Sequence, residues 1–180
     1  MGRVLLHVCC APCSAAVVEW LVADGGCPTL FFYNPNIFPN EEYELRKREI
    51  VRYAQMRGIE MIDGDYCHEY WLEQVSGHER EPERGARCLQ CFKIRMLATA
   101  QLAYELGIET IATSLASSRW KSLDQIAQAG HWAAKQYPDI KFFEKNWRKD
   151  RLSERGIELL KENKFYNQRY CGCEFSVRPI

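Results

Sequence analysis

Three short clusters of cysteine provide most of the chemistry that this chain could perform. Cys9 and Cys10 lie in HVCCAPCS, Cys88 and Cys91 in ARCLQCFK, and Cys171 and Cys173 in YCGCEFS. Cysteine thiolates are ligands of soft metals and the reactive groups of redox centres. Thiols that are grouped at three places in one chain therefore predict a metal site, a redox site or both.

The second cluster is a CxxC pair at the start of a predicted helix. Cys88 and Cys91 would lie nearly on one side of that helix, and the amide dipoles at a helix start favour thiolate over thiol. Zinc, an iron–sulfur cluster and a redox disulfide all use this geometry. The spacing alone leaves the three possibilities open.

The first cluster places adjacent cysteines where a strand is expected to end. At such an exit Cys9 and Cys10 can both reach one inorganic centre. Cys10-Ala-Pro-Cys13 is also a CxxC pair with an internal proline, as in thioredoxin-type redox motifs. Simple dithiol exchange is an alternative, but it leaves Cys9 and the other two clusters unexplained.

The third cluster, Cys171-Gly-Cys173, separates two thiols by a single glycine. A disulfide between them would close a small strained ring that glycine makes possible, and strained disulfides are easily reduced. This property suits catalysis. The alternative is that both thiolates bind a metal.

The number of thiols helps to compare the possible centres. Two cysteine pairs would complete a closed, four-thiolate zinc site and leave two thiols unused. An iron–sulfur cluster also takes four thiolates, and the remaining thiols could then serve as a redox partner or a second metal site. The surplus favours redox chemistry over zinc, while the identity of the metal stays open.

Isolated residues give weaker candidates. Cys27 and Cys67 are expected to be buried or half-buried and to lie outside any site. His7, within an apolar strand, is expected to be a hydrogen-bonded core residue. Asp63 and Asp65 follow a predicted strand and could supply a proton or a ligand, although acidic residues are common in such turns. Walker, GxGxxG and nucleophile-elbow motifs are absent, so phosphoryl transfer and nicotinamide binding have no support.

The elements that must position these residues alternate between strands and helices. Strands are expected over 4–8, 29–33, 59–62, 108–113 and 140–143. Helices are expected over 14–23 after a turn at Ala11-Pro12, over 40–57 with Asn40 as cap, over 70–75 and 88–106, from the capping-box residue Ser122 to before Pro138, and from Ser153. This alternation predicts an α/β fold with a parallel sheet covered by helices on both faces. Ligands in such folds bind beyond the carboxyl ends of the strands, where Cys9 and Cys10 would lie.

Length and composition indicate one globular domain over residues 1–180 with no membrane span. The chain is 47% hydrophobic, has no apolar run of about 20 residues and does not begin like a secretory signal, so we expect a cytoplasmic location. Nine cysteines in a reducing compartment indicate metal binding or catalysis more than structural disulfides.

The formal net charge is zero, but one segment is basic and rich in aromatic residues. Lys141 to Arg169 contains nine Lys or Arg against five Asp or Glu. The segment is either a solvated helix face or a surface that contacts nucleic-acid phosphates and bases.

Long stretches of the chain resemble the epoxyqueuosine reductase QueH family. They are LLHVCCAPCS, FFYNPNIFPNEEYELRK, RCLQCFKIRM, TSLASSRWKS and FYNQRYCGCEFS. The resemblance implies an α/β fold of the HUP, Rossmann-like type with the iron–sulfur site at the carboxyl ends of the strands. It also implies the last step of queuosine synthesis, in which the epoxide of epoxyqueuosine at the tRNA wobble position becomes an alkene with loss of water.

The resemblance also implies roles for individual residues. Cys9, Cys10, Cys88 and Cys91 match the ligands of a [4Fe–4S] cluster, and Cys171 and Cys173 match a redox-active pair. The pair would form a disulfide or bind an additional mononuclear iron, and Cys13 could belong to either centre.

The implied partners are tRNA carrying epoxyqueuosine in its anticodon loop and an unidentified electron donor. A nearby acid, Asp65 or Tyr33, would protonate the departing oxygen. We expect the segment from Lys141 to Arg169 to contact the anticodon loop. The alternatives are a zinc-stabilised RNA-binding module and a thiol–disulfide oxidoreductase.

Overall fold

The computed structural model of the chain, which describes residues 2–177, contains a five-stranded parallel sheet. The strands are β1 (Arg3–His7), β2 (Cys27–Phe32), β3 (Met61–Asp63), β4 (Thr110–Thr113) and β5 (Lys141–Phe142). Their order across the sheet is β3-β2-β1-β4-β5, and every neighbouring pair is parallel. The prediction of a parallel α/β fold is confirmed.

Six α-helices connect and cover the strands. They are α1 (Ala11–Ala23), α2 (Asn40–Arg57), α3 (His68–Gln74), α4 (Ala86–Glu105), α5 (Leu123–Ala134) and α6 (Leu152–Glu162). Two 3₁₀ turns, Ser114–Ser117 and Glu174–Ser176, complete the elements of the described residues. None of the helices in this part of the chain is long and apolar enough to cross a membrane.

The sheet has its most buried strand at its centre. Every residue of β1 after Arg3 is fully buried, because helices cover both faces of a parallel sheet and its central strand needs a continuous apolar run. Most of the buried apolar residues form one cluster around this strand. A second, smaller cluster contains Trp71, Val75, Cys91, Ile94 and Cys173.

The order of the strands creates the crevice in which ligands bind to such sheets. The chain leaves β1 through α1 to reach β2 on one side, whereas β4 lies on the other side of β1. The connections that follow β1 and β4 diverge there, beyond the carboxyl ends of the strands. Cys9 and Cys10 follow β1, and Ser114 follows β4, so both segments border this crevice.

Two local predictions were wrong at the starts of helices. A turn was expected at Ala11-Pro12, but α1 begins at Ala11. Proline is tolerated in the first helical turn, because the amide hydrogen that it lacks has no acceptor within the helix. Asn40 was expected to cap α2; instead it is the first helical residue, and Pro39 occupies the cap position.

Candidate functional site

Cys9, Cys10 and Cys13 form a compact group of thiols at the start of α1. Their three Sγ atoms lie within 4.8 Å of one another, and the Cys9 and Cys10 sulfurs are 3.7 Å apart. The backbone is extended at Cys10, the cap residue, and turns into the helix immediately afterwards, which brings Cys13 back beside it. Within residues 2–177 this is the one place where three cysteine, histidine or acidic side chains come so close.

Side chains from distant parts of the chain hold this group in place. The Ser14 hydroxyl donates to the Cys10 carbonyl over 2.7 Å, and the Ser117 hydroxyl donates to the Cys13 carbonyl over 2.9 Å. The amide of Gln168 donates to the Cys10 sulfur at 2.9 Å and to the Cys13 sulfur at 3.5 Å. Hydrogen bonds of this kind stabilise negative charge on sulfur.

The three thiols do not share negative charge equally. Hydrogen bonds from the Cys10 and Cys13 thiols hold the pKa of Cys9 well below its ordinary value, and the nearby cations of Lys121 and Arg95 act in the same direction. Burial raises the pKa of Cys10. The hydrogen bond with Cys10 lowers the pKa of Cys13, but the negative charge of Cys9 and burial together raise it to about 12. Cys9 is therefore the preferred thiolate of the group.

Three of the other four clustered cysteines line a narrow cavity, and the fourth, Cys91, lies in the same apolar cluster as one of them. Cys88 lies in the first turn of α4, and it lines this cavity together with Cys171 and Cys173 from the segment before the second 3₁₀ turn. Cys91 is buried one turn further along α4 and packs in the same apolar cluster as Cys173. All nine cysteines, which lie within the described residues, are free thiols.

Burial dominates the chemistry of this second group. It raises the pKa of Cys88 and of Cys91, and it raises the pKa of Cys173 to about 11. These thiols are therefore protonated at neutral pH unless a metal or a cation favours the thiolate.

The backbone between Cys171 and Cys173 has a conformation that requires glycine. Gly172 has a φ of 140°, a backbone conformation that residues other than glycine rarely adopt. A Cβ atom at this position would lie 3.1 Å from the Asn36 amide nitrogen and 3.2 Å from Ile37. The Gly172 carbonyl accepts a hydrogen bond from the Phe38 amide over 2.9 Å.

Arg46 attaches the same segment to α2. Its guanidinium donates to the Cys171 carbonyl over 3.1 Å and to the Tyr170 carbonyl over 3.2 Å. A salt bridge of 2.7 Å to Glu42 holds the guanidinium in this orientation. Arg46 is 2% exposed, so these bonds are shielded from water.

Two buried cations, Lys121 and Arg95, lie close to the second group of cysteines. Lys121, which is 4% exposed, lines the cavity of Cys88, Cys171 and Cys173. Burial alone would lower its pKa, but the negative charges of Cys171, Cys9 and Cys13 raise it above its ordinary value. The charges of both groups of cysteines therefore act on the pKa of Lys121.

Arg95 is the second buried cation. It donates to the Asn34 side-chain oxygen over 2.6 Å, and another of its nitrogens lies 4.0 Å from the Cys91 sulfur. The Asn34 amide in turn donates to the carbonyl of Val8, the residue before Cys9. A chain of polar contacts therefore connects α4 to the end of β1.

The weaker candidates lie outside these groups or at their edge. His7 is a buried core residue: its Nδ1 is 3.0 Å from the Thr113 hydroxyl, and its Nε2, 3.0 Å from the Tyr33 carbonyl, must carry the proton. Asp63 forms an ion pair with Lys47. Asp65 is exposed, whereas Tyr33 packs against the cluster of Cys91 and Cys173.

Cys27 and Cys67 were expected to be at least half-buried; both are exposed, since each lies at the start of an element on the surface.

The segment from Lys141 to Arg169 differs from the expected aromatic surface. Trp147 and Phe165 are buried in the core. In α6, Arg155 forms ion pairs with Glu19, Glu158 and Glu162, so much of the positive charge of that helix is neutralised within the protein.

Arg148 is a basic residue of this segment that contacts the backbone of Lys121 and Ser118. Its guanidinium donates to the carbonyls of Ser118 and Lys121. From the other side, Arg84 donates to the Arg119 carbonyl over 2.8 Å and also to the Trp120 carbonyl. Burial and the charge of Arg84 lower the pKa of Arg148. We call Arg84, Arg119 and Arg148 the arginine rim, because they border the segment that carries Lys121.

Several residues of the site were not identified from the sequence. They are Lys121, Gln168, Arg46 and Arg95. Gln168 precedes Cys171 by three residues, so its place next to a motif was a possible signal. No spacing rule marks the others, since each reaches the site through contacts with distant parts of the chain.

Comparisons with known proteins agree with this architecture. The sequence model of the family described as "Epoxyqueuosine reductase QueH" matches residues 4–179. The chain is 47% identical over 177 residues to the epoxyqueuosine reductase QueH of Histophilus somni, covering 98% of this chain and 73% of that protein. It is also 47% identical over 176 residues to the protein of the same name from Acinetobacter baylyi, covering 98% of this chain and 81% of that one. The Thermotoga maritima protein of that name is 37% identical over 180 residues, with 98% and 91% covered.

Two solved structures share the fold. The U34-tRNA thiolase NcsA from Methanococcus maripaludis, described with its [4Fe–4S] cluster, has a TM-score of 0.53 and 14% identity, and the match covers 98% of this chain and 61% of that one. A predicted subunit of tRNA methyltransferase from Methanocaldococcus jannaschii has a TM-score of 0.52 and 15% identity, with 79% and 66% covered.

Proposed function

The chain belongs to the epoxyqueuosine reductase QueH family, and we propose on this basis that it reduces the epoxide of epoxyqueuosine in tRNA to the alkene of queuosine. The observation that best supports this reaction is the presence of two groups of cysteines: Cys9, Cys10 and Cys13 beyond the carboxyl end of β1, and Cys88, Cys171 and Cys173 around one cavity, with Cys91 in the same apolar cluster as Cys173. Removal of an epoxide oxygen as water consumes two electrons, and a redox centre is needed to pass them to the substrate.

The donor set fits an iron–sulfur cluster. Three thiols lie within 4.8 Å of one another, one of them favours the thiolate, and four further thiols lie close by in an apolar environment. Iron–sulfur clusters require thiolate ligands and are tuned by hydrogen bonds to sulfur, such as those from Gln168. When bound, a cluster would supply electrons one at a time.

Our proposal for the ligands is Cys9, Cys10, Cys88 and Cys91, with Cys171 and Cys173 as the redox-active pair. Cys13, Cys171 and Cys173 would be available to an additional iron. The close contact of Cys9 with Cys10 and the common apolar cluster of Cys91 and Cys173 support this assignment. The short distances from the Cys13 sulfur to those of Cys9 and Cys10 support a competing assignment, in which Cys13 is a cluster ligand.

The overall change consumes two electrons and two protons, forms the carbon–carbon double bond and releases the oxygen as water; the electrons come from an external donor. Arg46 and the hydrogen bond to Gly172 would keep the Cys171 and Cys173 thiols at one side of the cavity.

Free thiols at all nine cysteines suit a reducing compartment, and we propose a cytoplasmic location for the enzyme.

The arginine rim is our candidate for the tRNA contact. Two of its guanidinium groups lie against one short backbone segment and repel each other, an arrangement that an RNA phosphate would relieve. We propose that the rim, together with the exposed charges of residues 141–169, binds the backbone of the anticodon loop while the modified base enters the crevice.

Anaerobic turnover tests the proposed reaction. The protein is purified without oxygen, its iron and acid-labile sulfide are measured, and a chemical reductant and epoxyqueuosine-containing tRNA are added. Digestion and mass measurement should show a nucleoside that has lost one oxygen. An unchanged nucleoside with an intact iron–sulfur centre would refute the proposal and favour a thiol–disulfide oxidoreductase, whereas bound zinc without sulfide would favour an RNA-binding module.

Serine substitutions test the ligand assignment. Cys88→Ser should lower iron and sulfide content, and Cys13→Ser should retain the cluster. The matched control is Cys27→Ser, which changes an exposed cysteine outside both groups and should behave as the wild type. Loss of the cluster in Cys13→Ser with retention in Cys88→Ser would contradict our assignment and favour the compact group as ligands.

A further inference from the structure

Lys121 is a buried cation among cysteine thiols. It is 4% exposed and lines the cavity with Cys88, Cys171 and Cys173. The segment that carries it is held on both sides, because its carbonyl accepts from Arg148 over 2.7 Å and its amide donates to the Ser118 carbonyl over 3.3 Å. The backbone of Lys121 is therefore fixed, and its buried side chain lies at the lining of the cavity.

A buried ammonium group needs compensating negative charge. Removing a lysine from water is costly unless an anion lies nearby. The groups that share its cavity include the thiols of Cys88, Cys171 and Cys173, which carry negative charge when they bind a metal. Glu83 lines the same cavity. The lysine is thus placed where thiolate charge would gather.

We propose that Lys121 is the positioned cation that offsets the negative charge of the cysteine centre and thereby raises the potential at which this centre accepts an electron. The inference rests on the proposed function, since it assumes that thiolates of the centre bind an iron–sulfur cluster. Each electron that the centre takes from an external one-electron donor adds one negative charge. A fixed positive charge nearby favours that reduced state, and net charge and solvent exposure are established determinants of cluster potentials.

The proposed role of Lys121 depends on its charge. Substitutions that keep or remove this charge therefore distinguish an electrostatic role from a role in packing. In the anaerobically loaded full-length protein, Lys121→Gln should shift the midpoint potential to more negative values. Lys121→Arg should stay close to the wild type because it keeps the charge. Glu83→Gln removes a negative charge at the same cavity and should shift the potential in the opposite direction.

The matched control for lost charge is Lys135→Gln at the exposed end of α5, which should leave the potential unchanged. Potentials are measured by redox titration followed by optical and electron paramagnetic resonance spectra, at equal iron and sulfide content. An unshifted potential in Lys121→Gln overturns the inference.

If a variant does not bind the iron–sulfur cluster, its iron content tests the inference instead of its potential. Loss of iron in Lys121→Gln with retention in Lys121→Arg supports the role of charge, and loss in both variants overturns it. Failure of the proposed function has a different signature. Wild-type protein without iron and sulfide refutes the cofactor and this inference together, whereas loaded wild-type protein that leaves epoxyqueuosine unchanged refutes the reaction alone.

Discussion

Replacement of Arg46 should destabilise the protein because it breaks a buried ion pair and detaches the Cys171–Cys173 segment. The Arg46→Met variant loses the 2.7 Å bond to Glu42 and two charged hydrogen bonds to the carbonyls of Tyr170 and Cys171. Removing one partner of a buried pair costs about 3–5 kcal/mol, since the other partner loses its compensating charge; Glu42 would keep the hydrogen bond from the Tyr166 hydroxyl. For a chain of this size, each kcal/mol lowers the melting temperature by about 2–4 °C, which gives a decrease of roughly 6–20 °C.

The assay is thermal unfolding of anaerobically prepared variants at matched metal content. Arg46→Met is compared with Arg48→Met, which removes an exposed arginine from the same helix and should change stability by no more than about 0.5 kcal/mol. Arg46→Lys keeps the charge for Glu42 but cannot donate to both carbonyls as the planar guanidinium does. Its stability should be intermediate, and its reductase activity should fall because the cysteine pair is less firmly held.

A double substitution shows whether Glu42 and Arg46 act together. If the pair is the main source of the loss, Glu42→Gln combined with Arg46→Met should cost less than the sum of the single changes. A decrease of less than 2 °C in Arg46→Met, or strict additivity in the double variant, would refute the reasoning.

Three further outcomes follow from the same contacts. Gly172→Ala should cost about 1–3 kcal/mol in thermal unfolding, because its φ of 140° suits glycine, and it should lower turnover; wild-type values for both would contradict this account. Tyr53 donates to the Ala15 carbonyl, and burial raises its pKa to about 12, so Tyr53→Phe should lose about 1 kcal/mol at neutral pH. The neutral phenol is stabilised in the folded state, so the stability it contributes is complete below pH 10 and declines as the pH rises through 12. The free energy of unfolding, measured with denaturant between about pH 10 and 12, should fall more steeply with pH for the wild type than for Tyr53→Phe. The same pH dependence in both proteins would contradict the assignment. Gln168→Met removes the amide donors to the Cys10 and Cys13 sulfurs and should shift the midpoint potential to more negative values, whereas an unshifted potential at full iron content would argue against these bonds.

The order and type of the main elements could be predicted because their signals are local. The apolar run of β1, the cap at Ser122 and the left-handed Gly58 after α2 each depend on neighbouring residues, and the structure contains all three. Predictions failed where a local signal had two meanings. Pro12 ends helices in their interior but fits their first turn, and aromatic residues in a basic segment are typical of a protein core, where Trp147 and Phe165 lie, as well as of a nucleic-acid surface.

The chemistry of the site was predictable in type, because cysteine clusters next to a strand end or a helix start are visible in the sequence. The contacts among the clusters were not predictable from spacing. Cys91 and Cys173 share one apolar cluster although 82 positions separate them in the sequence (173 − 91). Their meeting depends on the route of the C-terminal segment across α2 and α4, which Arg46 and Phe38 hold through backbone carbonyls.

The amino-acid sequence by itself determined the soft-metal donors, the parallel α/β fold and the edge of the sheet at which the first cluster lies. Tertiary structure alone decided that Cys13 joins Cys9 and Cys10, that Gln168 donates to the Cys10 and Cys13 sulfurs and that Lys121 is buried at the cavity of the second group. The physical reason is that secondary structure follows from propensity and periodicity over a few residues. Burial, electrostatic neighbours and thiol-to-thiol distances depend instead on which strands are adjacent and how distant segments pack.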